Sequence, residues 1–284
     1  DDRRMSSPPR ACVIGWPVEH SRSPVIHGYW LKHYGIDGAY GKEAVKPEDI
    51  ADFLRTLSEH GYVGANVTLP HKEAALRAVD QADTAAKAIG AVNTVWLDKQ
   101  GLLQGSNTDA YGFMINLQGL APDWQARCDV AMVLGAGGAA RGVLYGLIAA
   151  GVRRVLLTNR TVAKAETLAR EFGSPVDVLP WDKKDSALPA CGLLVNTTSL
   201  GMTGQPPLEI MVPALPTAAV VADIVYVPLE TPLLAAARER GLTAVDGLGM
   251  LLHQAVPGFE HWFGIRPDVT ADLRAEVVAT LEAG

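Results

Sequence analysis

The chain has 284 residues, about twice the ~150-residue prior for one domain, so two domains are expected. Apolar residues make up 48% and charged ones 20%, which supplies sizeable cores and excludes a wholly disordered chain. The formal net charge is −6 and no Lys/Arg run is dense enough for a basic stripe, which argues against nucleic acid as a partner and leaves room for a small anion.

Along the first part of the chain, β-like runs at 11–18, 39–45, 62–69, 91–97 and 101–106 are interleaved with helix-like ones at 24–34, 47–60, 71–79 and 84–89. Ser23-Pro24 reads as a helix cap followed by Pro at the first helical position, and Gly35, Gly61 and Gly90 sit where helices should stop. Asp98-Lys99-Gln100-Gly101 reads as a hairpin turn. Residues 1–109 are therefore expected to form an α/β domain of their own. From Asp129 the pattern becomes strand, helix, strand: strands at 129–135, 153–159, 191–199, 218–226 and 243–247, helices at 138–150, 162–172 and 232–240. Parallel strands need crossovers and these helices supply them, so 110–246 is expected to be a doubly wound sheet. The tail has helical runs at 248–256 and 267–281 and no strand, and 247–284 is expected to return to the first domain and leave a cleft between the two.

Cys12, Cys128 and Cys191 are far apart and in no C-x-x-C pair, which fits buried small hydrophobes in a reducing cytosol better than a disulfide or zinc framework. A cytoplasmic location is the corresponding expectation. The best apolar run, 142–152, is closed off by Arg141 and Arg153 and falls short of the ~18 residues of a membrane span. No signal peptide is read at the N-terminus, and residues 1–4 ahead of Met5, an added or a native leader, are set outside the fold.

Gly135-Ala136-Gly137-Gly138-Ala139-Ala140 follows an apolar strand and opens a helix, fitting G-x-G-x-x-G/A. Glycine permits the tight turn and lets backbone N–H groups approach a pyrophosphate at the helix N-terminus, so a Rossmann dinucleotide site is expected, with plain packing as the alternative. Thr158-Asn159-Arg160-Thr161 ends the second strand without an acidic residue. Arg160, with Lys164, can pair with a ribose 2′-phosphate, which favours NADP(H) over NAD; a solvated Arg and Lys near a helix capped by Thr161 is the alternative.

Ser21-Arg22-Ser23-Pro24 places two hydroxyls at a helix N-terminus, where orphan N–H groups favour a carboxylate. Asn66-Val67-Thr68-Leu69-Pro70-His71-Lys72 runs from a strand into a helix that Pro70 is expected to start, with Lys72 in its first turn. A cation there opposes the macrodipole, and such a position suggests use, although a surface Lys offset by Glu73 is the plain alternative. Asn93 is either a satisfied polar group on a sheet edge or a partner for a hydroxylated ligand. Asn107-Thr108-Asp109 opens a helix, so either Asp109 or Thr108 is a simple cap, or Asp109 is a carboxylate at the cleft that holds Lys72 charged and in place. Asn196-Thr197-Thr198-Ser199-Leu200-Gly201 and Asp223-Ile224-Val225-Tyr226 lie at carboxyl ends of predicted strands, where doubly wound sheets bind ligands, and Gly247 and Gln254 begin and end the run into the return helix; each alone is also compatible with a turn or core role. No H-E-x-x-H or Cys cluster suggests a metal, and no G-x-S-x-G suggests a serine nucleophile.

In order, the motifs SRSP, NVTLPHK, GAVNTV, NTDAYGF, GAGGAA, NRT, NTTSLGM, DIVYVPLETPLL and DGLGMLLHQA resemble the shikimate dehydrogenase family over about residues 13–264. The resemblance implies an N-terminal substrate domain, a Rossmann NADP domain and a return helix. It also implies NADPH-dependent, reversible reduction of 3-dehydroshikimate to shikimate in aromatic amino-acid biosynthesis. By the same resemblance Ser21 and Ser23 bind the substrate carboxylate, and Thr68, Asn93, Asp109, Tyr226 and Gln254 contact its ring hydroxyls or hold the site around it. Lys72 is implied as the general acid, paired with Asp109. Gly135, Ala136, Gly137, Gly138 and Ala139 are implied to hold the pyrophosphate, Asn159, Arg160, Thr161 and Lys164 the ribose phosphate, and Ile224 and Gly247 to lie against the nicotinamide. His27-Gly28 stands where many members have His-Asn, and Thr84 where some have an acid. A quinate/shikimate or aminoshikimate-type relative, a non-catalytic NADP-binding regulator and a methylene-folate-type dehydrogenase are the alternatives. The retained Lys72 and Asp109 favour an enzyme over the regulator. Monomer and homodimer both remain open.

Overall fold

The computed structural model describes residues 7–283, so the leader residues 1–4 and Met5 lie outside the described part. Among the described residues two compact units are present, one made of residues 7–108 with 255–283 and the other of 109–254. The first runs β1 (Arg10–Gly15), α1 (Ser23–His33), β2 (Ala39–Ala44), α2 (Ile50–Arg55), β3 (Gly64–Val67), α3 (Lys72–Ala78), β4 (Gln81–Ala82), α4 (Thr84–Ile89), β5 (Thr94–Leu97) and β6 (Leu103–Ser106). Its sheet has the order β2-β1-β3-β5-β6-β4. β1 is parallel to both β2 and β3, whereas β5 is antiparallel to β3 and β6. The predicted hairpin joins β5 to β6: Asp98 Oδ1 accepts the N–H groups of Gln100 and Leu102, each at 2.9 Å, and Gly101 takes φ +80°. α2 is shorter than the 47–60 run, because residues 47–49 and 56–60 form turns on either side of it.

The second unit runs α5 (Asp109–Leu120), α6 (Trp124–Arg127), β7 (Val130–Leu134), α7 (Gly138–Ala149), β8 (Arg154–Thr158), α8 (Val162–Phe172), β9 (Val176–Val178), α9 (Lys184–Ala187), β10 (Leu193–Asn196), β11 (Val220–Asp223), α10 (Pro232–Glu239), β12 (Thr243–Val245) and α11 (Leu248–Gln254). All its strand pairs are parallel, in the order β12-β11-β10-β7-β8-β9. The order reverses between β7 and β10, which is the doubly wound topology that opens a ligand crevice at the strands' carboxyl ends. Val133, Leu144, Leu147, Val195 and Val220 fill one face of this sheet. β9 is an element the sequence pattern hides, since three residues are too few to establish an alternation.

α11 belongs with the second unit, one helix beyond the 246 boundary read from the sequence. It packs on α5, where Gly249 stands against Asn116 and the Asn116 amide donates to the Asp246 carbonyl at 2.8 Å. The chain then re-enters the first unit as α12 (Val256–Phe263) and α13 (Ala271–Glu282). α12 is missing from the sequence reading because Pro257-Gly258 looks like a break. Proline is tolerated in a first helical turn, and it falls there in α12. All three cysteines are buried thiols, as expected, and burial pushes Cys128 up to about 12 and Cys191 to about 11. Among the described residues no helix is long and apolar enough to cross a membrane.

Candidate active site

In the first unit the candidate residues gather where β1 and β3 end and β5 begins. Ser23 is not the cap of α1. Arg22 occupies that position, and Ser23 and Pro24 are the first two helical residues. Ser21 Oγ accepts the Ser23 N–H at 3.3 Å, Pro24 has no N–H, and Val25 and Ile26 donate to the Arg22 carbonyl. The orphan N–H groups expected to receive an anion are thus already spent within the turn. What the mouth offers instead are the two hydroxyls, the positive end of α1, and Arg22 Nε, a buried donor with no hydrogen-bond partner. Arg22 was legible only as the residue between the serines.

Tyr40 on β2 is half-buried, and desolvation pushes its phenol well above the usual range, while a hydrogen bond from the Ser23 side chain offsets only part of that rise. The Tyr40 hydroxyl donates to Asn66 Oδ1 at 2.7 Å. The Asn66 amide in turn donates to the Asn93 carbonyl and to Thr94 Oγ1, each at 3.4 Å, and Thr94 Oγ1 donates to Asn93 Oδ1 at 3.0 Å. Asn93 is tied to Thr108 twice, accepting its N–H at 2.9 Å and donating to its hydroxyl at 3.0 Å. One chain of polar groups, buried except at Tyr40, therefore joins Ser23 to Asn93. Asn66, Thr94 and Thr108 were not among the predicted site residues. The signal for Asn66 was present, as a polar residue in a strand whose positions are all buried.

Thr68 closes β3 by donating its N–H to the Ile14 carbonyl at 2.9 Å and accepting the His71 N–H at 3.0 Å. α3 starts at Lys72 with His71 as its cap residue, so Pro70 precedes the helix and does not start it. The buried His71 ring is pinned by a contact of 2.6 Å from Nε2 to the Val45 carbonyl. The Lys72 carbonyl accepts the Val92 N–H at 2.9 Å, which fixes Lys72 one residue away from Asn93. Ser21, Ser23, Thr68, Lys72 and Asn93 are thus brought to one end of one sheet.

In the second unit Gly135 takes φ +109°, and a Cβ there would stand 2.4 Å from Thr197 Oγ1, so only glycine fits. Its N–H donates to the Thr158 carbonyl at 2.8 Å. Gly137 caps α7 with no side-chain hydrogen bond, and Gly137 and Gly138 face open space, while Ala136 is buried and Ala139 half-buried. This leaves the N-terminal amides of α7 approachable by a phosphate. Past β8, Asn159 Nδ2 donates to the Thr161 carbonyl at 2.9 Å, and Thr161 begins α8 without the side-chain cap bond expected of it. Arg160 and Lys164 are exposed, and neither forms an ion pair among the described residues. Thr158 Oγ1, at the end of β8, is buried without a hydrogen-bond partner.

Asp109 is the first residue of α5, half-buried, with its Cβ beside Gly142 of α7. Tyr226 is half-buried in the loop after β11, and Gln254 ends α11 with Nε2 donating to the Leu251 carbonyl at 2.8 Å. Ile224 and Gly247 meet where β11 and β12 end. Among the described residues no group of three or more His, Cys, Asp or Glu is placed to hold a metal ion.

Comparison with known proteins covers nearly the whole chain. The shikimate dehydrogenase substrate binding domain matches residues 13–95, the shikimate / quinate 5-dehydrogenase family 122–203, and the shikimate 5′-dehydrogenase C-terminal domain 247–275. A shikimate dehydrogenase (NADP(+)) of Nitrobacter hamburgensis is 59% identical over 271 residues, 95% of this chain and 94% of the relative. The chain belongs to the shikimate dehydrogenase family. Another protein of that name, from Paramagnetospirillum magneticum, is 56% identical over 95% of this chain and 98% of its own. Among solved structures, shikimate 5-dehydrogenase of Thermus thermophilus in complex with NADP(H) and shikimate superposes with a TM-score of 0.81 at 36% identity, over 97% of this chain and all of that one. Quinate dehydrogenase of Corynebacterium glutamicum in complex with NAD gives 0.89 at 30% identity, over 96% of this chain and all of that one. The shikimate dehydrogenase family thus accounts for both the mixed sheet of the first unit and the doubly wound sheet of the second.

Proposed function

We propose that the protein catalyses the reversible, NADPH-dependent reduction of 3-dehydroshikimate to shikimate. The observation that carries this reading is the placement of Lys72 at the head of α3, held by its own carbonyl on Val92 beside the buried Asn93. In this reading the first unit binds the substrate and the second the dinucleotide.

The second unit fits the cofactor. Gly135, Ala136, Gly137, Gly138 and Ala139 form a turn without side-chain obstruction at an uncapped helix end, which suits a pyrophosphate. Asn159, Arg160, Thr161 and Lys164 would hold the ribose phosphate, with Arg160 suited to a 2′-phosphate, and Ile224 and Gly247 would lie against the nicotinamide. When bound, NADP(H) supplies or accepts the hydride.

The chain's own groups do the rest. The Ser21 and Ser23 hydroxyls, with Arg22 and the positive end of α1, hold the substrate carboxylate. Thr68, Asn93, Tyr226 and Gln254 engage the ring hydroxyls and fix which carbon faces the nicotinamide. Reduction of the C3 ketone develops negative charge on its oxygen, and Lys72 stabilises that charge and donates the proton, an effect of about 10²- to 10⁴-fold for a positioned acid. Asp109 orients the Lys72 amine, and in the reverse direction Lys72 takes back the hydroxyl proton.

The test is loss of 340 nm absorbance with 3-dehydroshikimate and NADPH, beside parallel reactions with NADH and with 3-dehydroquinate. Rapid oxidation confined to NADPH with 3-dehydroshikimate is the expected result. Preference for 3-dehydroquinate would move the assignment to a quinate enzyme, and NADPH binding without turnover to a regulator.

A further inference from the structure

The loop between β11 and α10 carries Ile224 and Tyr226, and its two ends are tied by side chains that no proposed step uses. Asp223, the last residue of β11, is 2% exposed, and Thr231, which caps α10, is 0% exposed. The Thr231 hydroxyl donates to Asp223 Oδ2 at 2.8 Å, closing residues 224–230 into a ring. Asp223 Oδ1 accepts the Val225 N–H at 3.0 Å and the Asn196 Nδ2 at 3.1 Å. All three of these hydrogen bonds are accepted by the carboxylate, and together they offset part of the rise that burial imposes on its pKa.

Asn196, at the end of β10, couples this ring to its neighbour. Its carbonyl accepts the Ile224 N–H at 3.1 Å and its Oδ1 accepts the Thr198 N–H at 3.0 Å. Thr203 N–H donates to the Val227 carbonyl at 2.9 Å, and a Cβ on Gly247 would fall 2.3 Å from the Ile224 carbonyl oxygen. Ile224 is thereby held by Asn196 on one side and by the backbone of Gly247 on another. A buried carboxylate is a costly way to tie a surface loop when an apolar plug would serve, unless the loop's geometry matters.

We infer that Asp223 and Thr231, with Asn196, are positioning residues that fix the 224–230 loop so that Ile224 and Tyr226 meet nicotinamide and substrate in register. The inference rests on the proposed function for what the loop meets, and on the hydrogen bonds alone for the ring.

The experiment compares Thr231→Val, Thr231→Ser, Asp223→Asn and Asp223→Ala by amide hydrogen exchange and by steady-state kinetics. Thr231→Val should raise exchange across 225–230 at least tenfold while β7 and α7 stay protected. Its kcat should fall about tenfold to a hundredfold, since small displacements of a reacting pair are costly. The NADP(+) Kd should change less than threefold, because the phosphate contacts lie on α7 and after β8. Thr231→Ser restores the hydroxyl and should restore both readouts. Asp223→Asn should also retain activity within a fewfold, because its Oδ1 can accept from Val225 and Asn196 while Nδ2 donates to Thr231 Oγ1. Should Asp223→Ala fail to fold, the Thr231 pair decides. Unchanged protection of 225–230 in Thr231→Val, or lost protection with unchanged kcat, overturns the inference. A wild-type protein without turnover would sink the functional reading instead, and the exchange data would still decide whether the ring holds the loop.

Discussion

Asn93 Oδ1 accepts the Thr108 N–H at 2.9 Å while Asn93 Nδ2 donates to the Thr108 hydroxyl at 3.0 Å, so both ends of one amide are engaged by one threonine. The orientation of the Asn93 side chain is thereby set before any ligand arrives. Replacing it with alanine strands a buried N–H and the Thr94 hydroxyl, at a cost of about 1–3 kcal/mol for each unsatisfied group. Asn93→Ala is expected to lower the urea midpoint and raise the KM for 3-dehydroshikimate together. A variant that weakens substrate binding with no loss of stability would contradict the preset amide.

Lys72→Ala should lower kcat by about 10²- to 10⁴-fold while substrate affinity changes far less, because the ammonium works on charge that appears only as the reaction proceeds. Steady-state rates with dissociation constants measured separately check this. An unchanged turnover number removes Lys72 from the role assigned.

Arg160 is exposed at the end of β8 with no competing ion pair among the described residues, so its guanidinium is available to a phosphate. A charge-assisted bond of about 1.5–3 kcal/mol corresponds to roughly ten- to a hundredfold in affinity. Arg160→Ala should raise the KM for NADPH by that order and leave the KM for NADH nearly unchanged. Equal effects on both cofactors would show that Arg160 does not read the 2′-phosphate.

Gly135→Ala sets a methyl group against Thr197 Oγ1 in a backbone conformation that L-residues rarely adopt. NADP(H) binding should be lost or weakened more than tenfold, with thermal stability also reduced. Retention of wild-type cofactor affinity would separate the turn from the pyrophosphate.

His27 is fully buried, its ring stacked on Tyr40 at 4.2 Å between centroids, and burial pushes its pKa from the usual 6.5 down to about 3. Between those values only the unfolded chain takes up the proton. The full contribution to stability is therefore present above about pH 6.5 and is lost as the pH falls toward 3, with a slope of roughly 1.4 kcal/mol per pH unit. In His27→Phe this part of the acid-side slope should vanish from urea titrations at pH 7 and pH 5; equal slopes would show that the ring is protonated in the folded state.

Ten of the twelve strands among the described residues could be read from the sequence, most of them as apolar runs bounded by turn residues, and Gly135 declared its turn by position alone, whereas β4 and β9 have two and three residues, too few to show a pattern. The start of α1 could not be read. Ser23-Pro24 has the composition of a cap, yet Ser21 Oγ reaches the Ser23 N–H and moves the helix start one residue earlier. α12 was hidden by Pro257-Gly258, and it forms because Gly258 lets the helix sit against Thr94 while Trp262 Nε1 donates to the Val95 carbonyl at 2.9 Å. Asp223 and Thr231 were visible only as separate polar residues, since a bond across the seven-residue loop 224–230 leaves no periodic trace.

Trp262 reaches Val95 where Gly64 leaves room for its indole, and Trp30 Nε1 donates to the Asp268 carbonyl at 3.0 Å. The chain thus begins a structure that it completes only after 146 intervening residues, Asp109–Gln254, have been made. On the ribosome the later-numbered unit has its whole sequence first. The earlier one waits, with Trp30 and the floor of its sheet uncovered, until α12 and α13 have been made.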